Sequence, residues 1–116
     1  STPCFNCIWQ GDANEMALRA LLHAGSPAVK MNITGPETVF VRSAAEKLGK
    51  LLCKTPVFKG EEAENALLSN SALAMKTFGA PAVSADELIQ WQAEWILNGG
   101  RSLGKPTHFE ERKGKF

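Results

Sequence analysis

Apolar and polar residues recur along this chain with two periods, and the change of period marks its elements. Cys4 to Trp9 is a short apolar run with Phe5 and Ile8, which predicts a strand broken by Gln10-Gly11. Asp12 then stands as an N-cap, with Glu15 three residues later as its capping-box partner. Met16, Ala17, Ala20, Leu21 and Ala24 follow at helical spacing, and Gly25 is placed to end that helix. Ser26-Pro27 makes a turn. Val29, Met31 and Ile33 then alternate, so Ala28 to Thr34 predicts a second strand, closed by Gly35-Pro36.

Val41 to Cys53 predicts an amphipathic helix. Val41, Ala44, Ala45, Leu48, Leu51 and Leu52 form its apolar face, opposite Arg42, Glu46, Lys47 and Lys50. Pro56-Val57-Phe58 is a short extended piece, and Glu61, Glu62 and Glu64 make a solvated acidic loop. Ser69 or Asn70 caps a third helix with Ala72, Leu73, Met75 and Phe78 inside and Gly79 at its stop. Ser84 opens the clearest helix, with Glu87 completing a capping box. Leu88, Ile89, Trp91, Ala93, Trp95 and Ile96 give it a wide apolar stripe, ended by Asn98-Gly99-Gly100. Trp91 and Trp95, four apart, read as core, so Trp95→Ala is expected to cost roughly 3–5 kcal/mol. Residues 101–116 form a polar tail with five Lys/Arg against two Glu.

Composition narrows the class. At 116 residues, with 44% hydrophobic and 22% charged residues, the chain fits one globular domain spanning 1–116. A net charge of +1 offers no bulk field for nucleic acid or an anionic membrane. No apolar run exceeds four residues and no signal peptide is visible, which points to the cytoplasm. Cys4, Cys7 and Cys53 are too few and too scattered for a disulfide framework. The Cys4/Cys7 pair lacks a second close pair to complete a zinc site, so all three read as buried structural thiols. Asn32-Ile33-Thr34 matches a glycosylation acceptor by chance. The chain has no Tyr, so no mechanism that needs one runs on it alone.

Two strands separated by one helix fit a βαβ unit, normally parallel and right-handed. Such a pair needs neighbouring strands and cover on both faces. The chain therefore reads as the last part of something larger, and its start at Ser1-Thr2-Pro3 fits a trimmed piece.

Several segments carry a resemblance, in order. Ile8-Trp9-Gln10-Gly11-Asp12-Ala13 enters an alanine- and leucine-rich helix. Met31-Asn32-Ile33-Thr34-Gly35-Pro36-Glu37-Thr38 is a late strand with a glycine turn. Val41-Arg42, Ala45-Glu46 and Leu48-Gly49 resemble a "vRelaeelG" helix. Thr77-Phe78-Gly79-Ala80-Pro81 looks like "lLGyxP", and Leu88-Ile89-Gln90-Trp91 like a closing helix. Over nearly its whole length the chain resembles the C-terminal portion of an extended short-chain dehydrogenase/reductase of the NAD-dependent epimerase/dehydratase family. One departure is Phe40, where members often carry a Ser or Thr cap before the "vRelae" helix.

The resemblance implies a helix-rich α/β fold: a partial βαβ unit from the end of a Rossmann-type enzyme plus a small helical subdomain on the substrate side. It implies a parent enzyme that holds NAD(P) on a glycine-rich turn and uses a Tyr-xxx-Lys pair on a (nucleotide-)sugar or related polyol. Neither the turn nor the Tyr is in this sequence. The chain alone is therefore expected to bind no cofactor and to be inactive, and its partner is the missing N-terminal cofactor domain or a second copy in a homodimer. The alternative is a free-standing dimeric binding or interaction module, or an inactive remnant of such an enzyme.

Open α/β sheets bind ligands at the carboxyl ends of their strands. Trp9 and Gln10 lie at the first such exit, with Gln10 placed to donate to a substrate hydroxyl. Asn32, Thr34 and Glu37 surround the second. Arg101, with Lys105, His108 and Arg112, carries charge suited to a diphosphate. The competing reading has Asp12 as a cap, Trp9 as core, residues 32–37 as turn chemistry and the basic residues as a solvated tail. His23 has no evident Asp or Ser partner and is not a catalytic candidate.

Overall fold

The computed structural model describes residues 2–105. It is a helix-rich α/β fold. The order is β1 (Cys4–Phe5), α1 (Gln10–Ala20), a 3-10 turn (Leu21–His23), β2 (Val39–Phe40), α2 (Val41–Leu51), α3 (Ala72–Phe78) and α4 (Ala85–Leu97).

The sheet differs from the expected one. β1 pairs with β2 antiparallel, Cys4 opposite Phe40 and Phe5 opposite Val39. No parallel βαβ unit exists among the described residues, and Ala28 to Thr34 is not a strand. Met31 and Ile33 do turn inward, but Val29 is well exposed, so the alternation covers only half the segment. With no second ladder to join, its backbone runs as a loop tied to the strand exit by a hydrogen bond from Gly35 N–H to the Cys7 carbonyl, 3.0 Å. Gly35 sits so close that a β-carbon there would stand 2.2 Å from that oxygen.

The antiparallel pair also answers the missing cap at Phe40. Phe40 makes no side-chain cap bond to α2. The first α2 amide, Val41 N–H, instead donates to the Pro3 carbonyl at 2.9 Å, one step beyond the ladder. The far end of α2 closes with paired 6→1 and 5→2 bonds, Lys54 N–H to Gly49 O and Cys53 N–H to Lys50 O. Cys53 takes the position usually held by glycine there, at φ 54°. Its side chain is exposed, which corrects the expectation of three buried thiols. Cys4 is buried and Cys7 half-buried.

Met16 of α1 and Ala74 and Phe78 of α3 form the core, with Ile8, Ala20, Met31, Ile33 and Met75 packed around them. Arg19 crosses the Phe78 ring at 5.3 Å and donates to the Phe78 carbonyl at 3.1 Å, while the His23 ring meets Phe78 edge-on. A second contact joins α2 and α4, where Ala85 and Ala93 are buried. Arg42 of α2 reaches back over the Phe58 ring and pairs with Glu62, holding the long connection before α3.

The helix from Ser84 forms as its sequence predicts. The Ser84 hydroxyl accepts from Glu87 N–H, and the Glu87 carboxylate accepts from Ser84 N–H at 2.9 Å. Its stripe is only partly core: Ala93 is buried and Leu88 and Ile89 are half-buried. Trp91 is 42% and Trp95 56% exposed, because only the Ala85/Ala93 side of α4 meets α2.

Candidate functional site

The six residues expected at a site separate into two groups. Asn32, Thr34 and Glu37 are engaged in holding the fold. The Asn32 amide donates to the Asn70 carbonyl at 3.3 Å, next to the start of α3. Thr34 is buried. The Glu37 carboxylate accepts the Ala85 N–H at 3.0 Å, capping α4 from outside.

Asp12 does similar work. It is not an N-cap: Trp9 occupies that position and Asp12 is buried in the first turn of α1. Its carboxylate accepts from Val83 N–H at 3.1 Å. Glu15, freed from a capping box, pairs with Arg19 instead.

Trp9, Gln10 and Arg101 face outward. The Trp9 indole lies over Gly11, where a β-carbon would stand 2.3 Å from the ring. It meets Trp91 of α4 in a T-shaped contact with centroids 5.6 Å apart. Gln10, exposed, opens α1 beside it. Trp95 lies one turn beyond Trp91 on α4, and its indole N–H donates to the Arg101 carbonyl at 3.4 Å. Trp91 thus touches Trp9, and Trp95, four residues further on, is joined to the Arg101 backbone. Lys105 is exposed; His108 and Arg112 lie outside the described residues.

Sequence reasoning missed Asn6 and read Cys7 only as a buried thiol. The Asn6 side chain exchanges hydrogen bonds with Ser69, donating to its carbonyl at 2.7 Å and accepting from its amide at 3.3 Å. The partners are 63 residues apart, so no local pattern announces them. Cys7 borders two hollows. One, of about 350 Å³, is apolar and lies between the sheet, α2 and α4, with Phe5, Val39, Leu48, Leu88 and Ile89 in its walls. The other, of about 160 Å³, has Glu37 and Glu87 in its lining. Burial, and secondly the Glu37 charge, push the Cys7 thiol above its ordinary pKa. It therefore stays protonated at neutral pH and is a poor nucleophile.

Several of the backbone groups at the helix starts already have neighbours of their own. At α4, Ala85 and Glu87 N–H are taken by Glu37 and Ser84; at α2, Val41 N–H is taken by Pro3; at α1, the Trp9 ring lies on Gly11. No group of three or more potential metal ligands gathers among the described residues, and no helix there is long and apolar enough to cross a membrane.

No family model, curated protein or solved structure matches the chain.

Proposed function

We propose that this chain is the substrate-side, C-terminal portion of an NAD(P)-dependent epimerase/dehydratase acting on a (nucleotide-)sugar or related polyol. In this reading the fold is the end of a Rossmann-type enzyme, working in the cytoplasm. The glycine-rich turn and the Tyr-xxx-Lys pair belong to a cofactor domain beyond these residues. The observation that carries the reading is a set of exposed residues, Trp9, Gln10, Trp91, Trp95 and Arg101, joined by the Trp9–Trp91 contact and the bond from Trp95 to the Arg101 backbone. It combines apolar ring surface, a free amide and a cation, which suits a polyhydroxylated anionic substrate. The resemblance of the segments around it supports the same assignment. Asn32, Thr34 and Glu37 serve in this reading as the frame behind the site.

The test is a titration of the chain followed by tryptophan fluorescence. A nucleoside-diphosphate hexose should give a saturable change, and NAD none. Micromolar NAD binding would overturn the assignment.

The second reading, a free-standing dimeric module, draws on another surface. Leu18 of α1 and Leu21 and Leu22 of the 3-10 turn after it are 70%, 73% and 88% exposed, which is unusual for a soluble monomer. Sedimentation showing a stable dimer, together with no response to any sugar nucleotide, would favour this module.

A further inference from the structure

The end of α4 builds a hollow of about 550 Å³ walled by Trp95, Gly99, Gly100, Arg101, Ser102 and Leu103. We infer that it is a subsite for an anionic pyranose, a sugar ring bearing a carboxylate or a phosphate ester. The inference rests on the substrate-side reading and assigns the site a chemistry of its own.

The first support is the indole. Trp95 is more than half exposed, yet it is fixed. The helix ends in paired bonds from Gly100 N–H to Trp95 O at 2.8 Å and from Gly99 N–H to Ile96 O at 3.1 Å. Gly99 makes this turn at φ 73°, a region that favours glycine. Gly100 then lies against the ring so tightly that a β-carbon would stand 2.2 Å from it. The indole N–H is held by the Arg101 carbonyl. An exposed but immobilised ring binds without first losing rotamer freedom. The C–H face of a pyranose is apolar and weakly positive, and it complements the negative face of an indole.

The second support is charge. Arg101 is exposed and forms no ion pair among the described residues, and α4 itself carries no basic residue in its last turn. A guanidinium beside an aromatic platform binds carboxylate or phosphate through two parallel hydrogen bonds. Ser102 accepts from Gly104 N–H through its hydroxyl oxygen, which leaves the hydroxyl proton to donate. Trp95, Arg101 and Ser102 thus line one hollow within the size range of small-ligand sites.

The experiment follows the three indole N–H resonances of the chain by NMR, with Trp95 identified through Trp95→Phe. The ligands are methyl glucuronide, glucose 6-phosphate, methyl glucoside and inorganic phosphate. We expect a saturable shift of the Trp95 resonance with at least one anionic sugar, at least tenfold tighter than with methyl glucoside. The better of the two anionic sugars identifies the carboxylate or the phosphate as the natural group. Arg101→Ala should reduce that preference to less than twofold while leaving the spectrum otherwise folded. Equal binding of the neutral sugar, the same shift from inorganic phosphate alone, or an unchanged preference in Arg101→Ala would overturn the inference. A nucleoside-diphosphate hexose, titrated in the same way, that moves another indole resonance but not that of Trp95 would overturn it and leave the substrate-side reading standing. No response to any sugar would overturn both.

Discussion

Glu37 reaches across 48 residues to accept the backbone N–H of Ala85 at 3.0 Å. Two residues earlier in the same segment, Val83 N–H is held by Asp12. Two carboxylates, one from α1 and one from the loop before β2, therefore fix the approach to α4. Glu37, expected at a substrate site, thus holds a distant backbone N–H, and Asp12, expected as a local cap, holds another.

Removing that external cap should loosen α4. Glu37→Ala is expected to cost about 1 kcal/mol, the usual worth of a helix cap. Thermal melts should show Tm lower by about 4–8 °C. Glu37→Gln, which keeps an acceptor oxygen, should recover part of the loss.

Phe78 and Trp95 should respond in opposite ways to truncation. Phe78 lies in the core with Arg19 and His23 against its ring, so Phe78→Ala should cost about 3–5 kcal/mol. Trp95 is more than half exposed, and Trp95→Ala should cost less than about 2 kcal/mol. Urea melts of both variants settle the order; a larger loss at Trp95 would contradict this packing.

Cys53→Gly should stabilise the protein. A non-glycine residue in the left-handed region carries a penalty of about 1–2 kcal/mol. Glycine removes it at an entropic cost of roughly 0.5–1 kcal/mol in the unfolded chain. A net gain of about 0–1.5 kcal/mol, centred on about 0.75, should appear as a higher urea midpoint with unchanged slope.

Acid should weaken the start of α4. The backbone N–H and then the hydroxyl of Ser84 hold the Glu87 carboxyl below its ordinary pKa of 4.5. A carboxyl with a depressed folded pKa stabilises the fold above its unfolded pKa, and that contribution fades as pH falls through the folded value. Stability measured from pH 6 downward should therefore decline less steeply in Glu87→Gln than in the parent chain.

What the sequence disclosed was whatever its near neighbours decide. Ser84 and Glu87 are three residues apart and need only each other, so the capping box was readable. The α2 stripe from Val41 to Leu48 was equally plain. The rest depended on distant partners. Ala28 to Thr34 has strand-like residues, but a strand requires a second backbone, and Gly35 alone found one. Trp95 follows the helical stripe faithfully, yet burial needs an opposing surface, and α2 covers only the alanine side. Asn6 looked featureless because its partner, Ser69, comes after two helices. Of the expected site, Trp9, Gln10 and Arg101 were found facing outward, while Asn32 and Glu37 were already committed to backbone groups.

The close approach of Gly35 to Cys7, joined to the pairing of Asn6 with Ser69, ties three separate stretches of chain at one point. Asn6 also donates to the Gly35 carbonyl at 3.4 Å, so the two links share a residue. None of the three stretches can open without releasing the others. Their amide protons should therefore exchange with solvent as one cooperative block, Gly35 and Ser69 at matching free energies despite lying in unrelated loops. A single methyl group at position 35 would split that block, and the two amides would then exchange independently.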